Sequence, residues 1–194
     1  MGAFLYALAW LLFALFHSLL ARQTIQVKIE SRVGRWYRLL YNLFALVQIT
    51  LVLALGRYAF GTNRFAIFET TTFVYVVFAL QWVGVVIFIV ALTKYDIGRF
   101  AGITQLFTGE KVSSTTNEPL QRNGLNRFMR HPLYTGAFLM LWGNGDTQFG
   151  LWTAIWGSVY LVIGTVFEER KLIRIYGEDY QQYQQEVPRY FPSI

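Results

Sequence analysis

Long apolar runs alternate with short polar segments along this chain. The runs cover residues 3–21, 39–55, 72–92, 132–142 and 151–167. A helix needs about 20 residues to cross a hydrocarbon core of about 30 Å, and most of these runs approach that length. The run that begins at Pro132 is the exception, because about a dozen residues at 1.5 Å each reach only about 18 Å. The pattern predicts an all-α, polytopic membrane protein of about five transmembrane helices.

The short gap between the last two runs begins with residues 143–146, Gly-Asn-Gly-Asp, which is a turn signal. We therefore expect a helical hairpin whose second arm continues to Tyr176, with Gly177 as its stop. Pro188 would end a further amphipathic helix in a cytoplasmic C-terminal tail. One stripe of that helix would contain Tyr176, Tyr180, Tyr183 and Val187. Tyrosines at this spacing are typical of the lipid headgroup zone.

The longest stretch without an apolar run covers residues 94–131. Helical spacing of Phe100, Ile103 and Phe107 predicts a short helix on the bilayer surface. Residues 109–126 are rich in Ser, Thr, Asn and Gly and predict a loop, and a segment this long is usually a lid, a binding loop or disorder. We expect one membrane domain over residues 1–194, divided into three N-terminal spans (1–93), a cytoplasmic loop (94–131), and a hairpin with its tail (132–194).

Composition supports a membrane protein, because 55% of the residues are hydrophobic and 14% are charged. Globular proteins average about 45–50% apolar and about 25% charged residues. The chain has no cysteine, which excludes disulfides, thiolate-ligated zinc and a cysteine nucleophile. Two histidines, His17 and His131, provide few ligands for a transition metal, so we expect no metal site.

The distribution of basic residues predicts the orientation. Residues 22–38, 94–131 and 170–194 contain 15 of the 17 Lys and Arg residues. The positive-inside rule then places the N-terminus outside and the C-terminus in the cytoplasm. The net charge of +6 does not indicate nucleic-acid binding, because the basic residues lie beside apolar spans rather than on a soluble face.

Two charged clusters flank the predicted hairpin, Arg130-His131 before it and Glu168-Glu169 after it. A hairpin would return the two glutamates to the level of Arg130 at one membrane surface. Charges beside spans are costly and therefore suggest function. Pro132 suits a first helical turn, whose N–H groups attract an anion, and Arg130 adds a bidentate donor. An amino-acid-like ligand would place its carboxylate there and its ammonium group at the glutamates.

Simpler interpretations are open for each cluster. Arg130 can snorkel to lipid headgroups, and His131 can be a structural histidine. Glu168 can pair with Lys171 three positions later, worth about 0.2–0.5 kcal/mol, which leaves Glu169 unexplained. A channel or carrier is less favoured, because the third run has only one strongly polar interior side chain, Gln81.

The motif Arg130-His131-Pro132-x-Tyr134-x-Gly136, followed by Glu168-Glu169 and then by Tyr176-Gly177-x-x-Tyr180-x-x-Tyr183-x-x-x-Val187-Pro188, resembles the C-terminal signature of the integral-membrane methyltransferases. This superfamily includes isoprenylcysteine carboxyl methyltransferases, phospholipid N-methyltransferases, methanethiol S-methyltransferases and NnrU-like proteins. The segment Gly124-Leu125-Asn126-Arg127 resembles the Gly-x-Tyr-Arg lead-in of the family, with Asn126 at the usual Tyr position. Phe16-His17-Ser18 and residues 96–105 are similar to the methanethiol branch.

The resemblance implies S-adenosylmethionine as the cofactor, bound on the cytoplasmic side between the last two spans and the tail. The matching cofactor-binding residues are Gly124, Arg127, Arg130, His131, Pro132, Tyr134, Gly136, Glu168 and Glu169. Gly136 would let the cofactor approach the helix backbone. Tyr134 would stack or bond near the sulfonium unless it is an interfacial tyrosine. Glu169 and His17 are the candidate catalytic residues, with His17 as a base.

The resemblance also implies a methyl acceptor reached from the membrane, and membrane lipids as surroundings. A small thiol or a prenylcysteine carboxylate is the favoured acceptor class. Two alternatives are a phospholipid N-methyltransferase and a non-catalytic, NnrU-like accessory protein.

Overall fold

The structure is a computed structural model that describes residues 1–66, 71–109 and 119–192. Apart from an isolated β-bridge between Arg64 and Thr147, the regular structure in these ranges is helical, which confirms the all-α prediction. The helices are α1 (Gly2–Ala21), α2 (Gln23–Val33), α3 (Tyr37–Phe60), α4 (Thr71–Leu92), α5 (Ile97–Ala101), α6 (Ile103–Thr108), α7 (Pro132–Trp142), α8 (Gln148–Tyr176) and α9 (Glu178–Glu186), with 3₁₀ turns at Gly34–Trp36 and Gly124–Arg127.

Four helical segments in the described ranges are long and apolar enough to cross a membrane. They are Gly2–Ala21, Gln23–Phe60, Thr72–Leu92 and Gln148–Tyr176. Helix α7 has 11 residues and a length of about 16 Å, so it is too short to cross alone, as its sequence indicated. The chain therefore has the helices of a multi-pass membrane protein, whereas the total of five spans stays a prediction.

The chain forms two compact units, of which the first contains residues 1–60 and 95–109. Helix α1 packs along α3, and the start of α3 binds the segment with α5 and α6. Asn42 Nδ2 donates hydrogen bonds to the carbonyls of Phe100 (2.8 Å) and Ala101 (3.0 Å). The single surface helix expected here is two short helices, because Gly102 lies between them with a φ of 91°. A Cβ at residue 102 would lie 2.5 Å from the backbone nitrogen of Leu39.

The second unit contains residues 61–94 and 119–192, without the undescribed residues 67–70. Its main contact joins α4 to α7 through glycines that let the two backbones approach each other. A Cβ on Gly136 would lie 2.7 Å from the backbone nitrogen of Phe88 and 2.8 Å from the carbonyl oxygen of Gly84. Helix α7 also packs against α8, so it is enclosed between two longer helices.

The turn predicted at residues 143–146 is confirmed. Asp146 Oδ2 lies 2.8 Å from Arg64 Nε, and its carbonyl accepts a hydrogen bond from the amide of Phe65 at 2.9 Å. The Thr147 side chain caps α8 by accepting a hydrogen bond from the amide of Gly150 at 2.9 Å. These contacts fix the turn that connects α7 to α8.

Helix α8 ends at Tyr176, and Gly177 follows with a φ of 58°, as predicted. The chain then folds α9 against α8. Tyr180 and Tyr183 are only 1% and 3% exposed, and they pack with Val187 against α8. The expectation that this stripe lies among lipid headgroups is therefore wrong for these two tyrosines, because they pack against Leu172, Ile173 and Tyr176 of α8 instead.

Candidate functional site

The hairpin brings the two charged clusters together at one end of the second unit. Arg130, just before α7, donates to Glu169 Oε1 from Nε (2.9 Å) and Nη2 (2.7 Å). The two side chains are 7% and 4% exposed, so this is a buried ion pair. Arg130 therefore does not snorkel to headgroups. The juxtaposition expected from the hairpin pattern is observed.

The carboxylate of Glu169 has polar partners on both of its oxygens. His131 Nε2 lies 3.2 Å from Oε1, and Arg189 Nη2 donates to Oε2 at 2.7 Å. Gln184 Nε2 donates to Oε2 at 3.2 Å. A buried carboxylate is stable only when its oxygens are paired in this way. Glu169 thus holds α7, α8 and the C-terminal segment together.

Residues 187–190 form a segment that we call the tail strap, and it pairs with the start of α7. The amides of Arg130 and His131 donate to the carbonyls of Pro188 (2.9 Å) and Arg189 (3.0 Å). Thr135 Oγ1 donates to the carbonyl of Tyr190 at 2.6 Å. Arg130 Nη1 also donates to the carbonyls of Gln184 (3.0 Å) and Val187. The strap therefore closes one side of the charged cluster.

Glu168 differs from Glu169 because one of its carboxylate oxygens accepts no hydrogen bond from the described residues. Its side chain is 40% exposed, and its Oε2 lies 3.7 Å from His131 Nδ1. Within the described ranges, this Oε2 is buried and accepts no hydrogen bond, and no ion pair joins Glu168 to Lys171. The local pairing considered from the sequence is not observed. Glu168 is consequently the glutamate that can still accept hydrogen bonds from a ligand.

Two more polar atoms of the tail strap are buried without a hydrogen-bond partner in the described part of the chain. They are Arg189 Nε and the Tyr190 hydroxyl. The Tyr190 ring lies near His131, with 6.3 Å between the ring centroids, and Arg189 contacts Glu169. Buried polar groups are nearly always paired, so unpaired atoms close to one carboxylate cluster suggest a polar ligand or water.

The cluster contains as many carboxylates, those of Glu168 and Glu169, as guanidinium groups, but the charges are unevenly placed. Two guanidinium groups, those of Arg130 and Arg189, share the single charge of Glu169. The hydrogen bond to the Glu169 carboxylate raises the pKa of Arg189 above its usual value, so Arg189 is a cation at neutral pH. An anion is therefore attracted to the side of the cluster that carries Arg189, while Glu168 attracts a cation.

Other residues predicted for the cofactor site lie near this cluster. The rings of His131 and Tyr134 are stacked, with centroids 5.4 Å apart, and Pro132 is buried in the first turn of α7. Gly124 and Arg127 are exposed at the two ends of the 3₁₀ turn that precedes Arg130. That turn is held by the Tyr183 hydroxyl, which donates to the carbonyl of Asn126 at 2.5 Å.

Gly136 has a different environment from the one expected. The space beside its Cα is filled by Gly84 and Phe88 of α4, at the distances given above. A cofactor could approach the backbone there only if α4 moved. The expectation for Gly136 is therefore corrected: this glycine serves the packing of α7 against α4, because only a hydrogen fits between the two backbones.

His17 lies in the first unit, near the end of α1. Its Nε2 is 2.8 Å from the hydroxyl of Tyr41, and the centroids of the two rings are 5.1 Å apart. The Phe13 ring lies beside the His17 ring, with 5.5 Å between the two ring centroids. His17 is thus held by an aromatic environment and a hydrogen bond, and its role as a base stays a prediction.

Sequence reasoning missed Gln184 and Arg189 as partners of Glu169. Both follow α8 after a bend, so no helical periodicity connects them to residue 169. The available signal was the position of Arg189 directly after Pro188, shortly beyond the end of α9, as the only basic residue after Arg174 in the sequence.

Comparison with known proteins identifies the relatives of this chain. The family described as "NnrU protein" matches residues 5–146 of the chain. Methanethiol S-methyltransferase 1 of Bradyrhizobium diazoefficiens is 29% identical over 188 residues, which cover 93% of this chain and 64% of that protein. Methanethiol S-methyltransferases of Crocosphaera subtropica and Pseudomonas deceptionensis are 30% and 28% identical over 62% and 59% of this chain.

These last two matches cover 46% and 44% of the relatives, so the chain spans about half their length. No solved structure matches the chain. The family match covers well over half of the sequence and extends from α1 to the turn between α7 and α8. The chain belongs to the NnrU family, within the superfamily of membrane methyltransferases and NnrU-like proteins.

Proposed function

We propose that this protein is an S-adenosylmethionine-dependent membrane methyltransferase that acts on a small or lipophilic acceptor. The observation that carries the proposal is the meeting of the Arg130-His131 and Glu168-Glu169 clusters at one end of the hairpin. Relatives that are 27–32% identical are named methanethiol S-methyltransferases, which supports the same class of reaction.

The residues of the cluster fit the amino-acid end of this cofactor, which has one carboxylate and one ammonium group. Glu168 is the partly exposed carboxylate with an unpaired oxygen, so it would accept hydrogen bonds from the ammonium group. Arg127 and Arg189 are the accessible cations, and they would bind the carboxylate. The stacked rings of His131 and Tyr134 would form a flat wall beside it.

Glu169 has a different role in this proposal from the catalytic one considered at first. Both of its oxygens are occupied by protein donors, so it would act as a positioning residue. It would fix Arg130 and His131 on α7 relative to Glu168 on α8. A displacement of about 1 Å at a reacting pair can cost about 100-fold in rate, which gives such a residue a large indirect effect.

The cofactor supplies an electrophilic methyl group, and the protein has to align the acceptor with it. Alignment alone can contribute about 7–11 kcal/mol to catalysis. A carboxylate acceptor is already ionised at neutral pH, whereas a thiol with a pKa of about 8.5 gains from a base or from nearby cations. A cation near the bound acceptor would favour the ionised form of a thiol. His17 would serve as the base only if an acceptor reaches it.

Orientation and span number belong to the same proposal. We place the N-terminus outside and the C-terminus in the cytoplasm, with five spans when the short α7 is counted. The charged cluster then faces the cytoplasm, where a water-soluble cofactor is available. The alternative with a specific observation in its favour is a non-catalytic accessory protein, because the matching family is described only as NnrU.

A radiolabelled methyl-transfer screen tests the proposal. The purified protein in lipid nanodiscs would be supplied with a small alkyl thiol, a prenylcysteine and phosphatidylethanolamine. We expect labelled product with the thiol or the prenylcysteine, reduced at least tenfold in Glu168→Gln, because a charged hydrogen bond is worth about 1.5–3 kcal/mol. Glu178→Gln, which makes the same substitution at an exposed glutamate at the start of α9, is the matched control and should retain activity. Cofactor binding without product from any acceptor would favour the accessory protein.

A further inference from the structure

Helix α8 is longer than a membrane span requires. Its 29 residues extend about 44 Å, whereas the hydrocarbon core is about 30 Å thick. The apolar part that starts at Gln148 therefore fills the core by about Phe167, and the last turns reach the headgroup region. Arg170 and Arg174 lie in those turns, and both are exposed.

These two arginines line one groove on the surface of α8. The groove has a volume of about 490 Å³, and Phe167 and Ile173 complete its wall. The Arg170 guanidinium carbon lies 5.8 Å from the centroid of the Phe167 ring. Below the groove, Phe167 and Ile163 are exposed side chains on the membrane side of the helix. The groove thus places two cations next to exposed apolar side chains, at the depth in the bilayer where the phosphate groups of lipids lie.

The two cations are four residues apart, a spacing at which like charges on a helix repel each other. Several other arginines of the second unit have a carboxylate partner, such as Arg64 with Asp146 and Arg122 with Glu186. Across the described ranges, no carboxylate forms an ion pair with Arg170 or Arg174. An anion between them would remove the repulsion, and arginine binds phosphate oxygens in a bidentate manner.

We propose that the groove formed by Phe167, Arg170, Ile173 and Arg174 binds the phosphate of an anionic phospholipid, with an acyl chain lying along Phe167 and Ile163. The groove is separate from the charged cluster, because Glu169 points into the protein and is 4% exposed. Binding there would fix the depth of the end of α8 in the bilayer, and with it the depth of Glu168. The inference does not depend on methyl transfer.

Native mass spectrometry of the purified protein with phosphatidylglycerol tests this inference. We expect one tightly bound lipid per chain, and about thirty-fold weaker binding in Arg170→Gln/Arg174→Gln, since each cation near a membrane surface contributes about fivefold. The charge-matched control is Lys171→Gln/Arg57→Gln, which removes two exposed cations outside the groove and should weaken binding no more than fivefold. Unchanged far-UV circular dichroism would show that each variant keeps its helices.

Two results would overturn the inference. Equal losses in the two double variants would mean that lipid binding reflects the general positive surface and not this groove. Displacement of the bound lipid by millimolar inorganic phosphate would mean that the groove takes free phosphate and that the acyl chain adds nothing. An Arg170→Lys/Arg174→Lys variant, which keeps the charge, should bind the lipid more weakly than the wild type, because lysine lacks the bidentate geometry.

Discussion

Replacing Glu169 by Gln removes the negative charge that compensates Arg130 and Arg189 while keeping the shape of the side chain. Arg130 is only 7% exposed, so it would stay buried without a counter-ion. Breaking a buried pair by removing one partner costs about 3–5 kcal/mol. The Gln amide oxygen can still accept one hydrogen bond, and Arg189 is 39% exposed and remains hydrated. We therefore expect Glu169→Gln to lower the free energy of unfolding by about 3 kcal/mol.

Equilibrium unfolding in mixed micelles measures this loss. Because the chain has two compact units, the transition has to be followed by a probe in the second one, such as Trp82 or Trp142 fluorescence with the remaining tryptophans replaced. A double-mutant cycle with Arg130→Gln isolates the pair, and we expect a coupling energy of about 2 kcal/mol or more. Glu168→Gln is the neighbouring control and should change stability by less than about 1 kcal/mol.

Additive effects in that cycle would refute the reasoning. So would a loss below about 1 kcal/mol in Glu169→Gln, because that is the range of an exposed ion pair. Either result would mean that Glu169 does not hold α7, α8 and the tail strap together.

Further predictions concern packing and the strap. Gly136→Ala should destabilise the second unit by about 1–3 kcal/mol, because its Cβ would lie 2.7 Å from the Phe88 nitrogen. Gly164→Ala, whose Cβ would have no atom within 4 Å, should stabilise α8 by up to about 1 kcal/mol in the same unfolding assay. Opposite signs of the two changes in unfolding free energy would support the packing role of Gly136, and equal changes would contradict it. Thr135→Val should lower the free energy of unfolding by about 1 kcal/mol and speed proteolytic removal of the tail, because the hydrogen bond to the Tyr190 carbonyl is lost. An unchanged rate of cleavage would argue against the tail strap.

The elements with a local cause could be predicted from the sequence. The turn at residues 143–146 and the end of α8 at Gly177 follow from residues that favour turns and positive φ. The turn also predicts that the chain folds back and returns the glutamates toward Arg130. The exact pairing of Arg130 with Glu169 does not follow from the turn, because α7 has 11 residues and α8 has 29, so the two residues are not equally far from it. These predictions needed no knowledge of neighbouring helices.

The elements with a distant cause could not be predicted. The need for glycine at position 136 comes from its contact with α4, and no pattern within α7 identifies α4 as the neighbouring helix. The tyrosine stripe of α9 has the same spacing whether it faces lipid or protein, and only the fold shows that Tyr180 and Tyr183 pack on α8. Arg189 is 20 positions from Glu169 and separated from it by a bend, so its partner is visible only in three dimensions.

Isothermal titration calorimetry with S-adenosylmethionine tests the central claim most directly. The claim is that the charged cluster at the end of the hairpin binds a zwitterionic amino-acid group through Glu168 and the arginines. The wild-type protein in nanodiscs should bind the cofactor with a one-to-one stoichiometry, Glu168→Gln should bind at least about tenfold more weakly, and Glu178→Gln should match the wild type. No binding by the wild type, or equal affinities for all three proteins, would contradict the account.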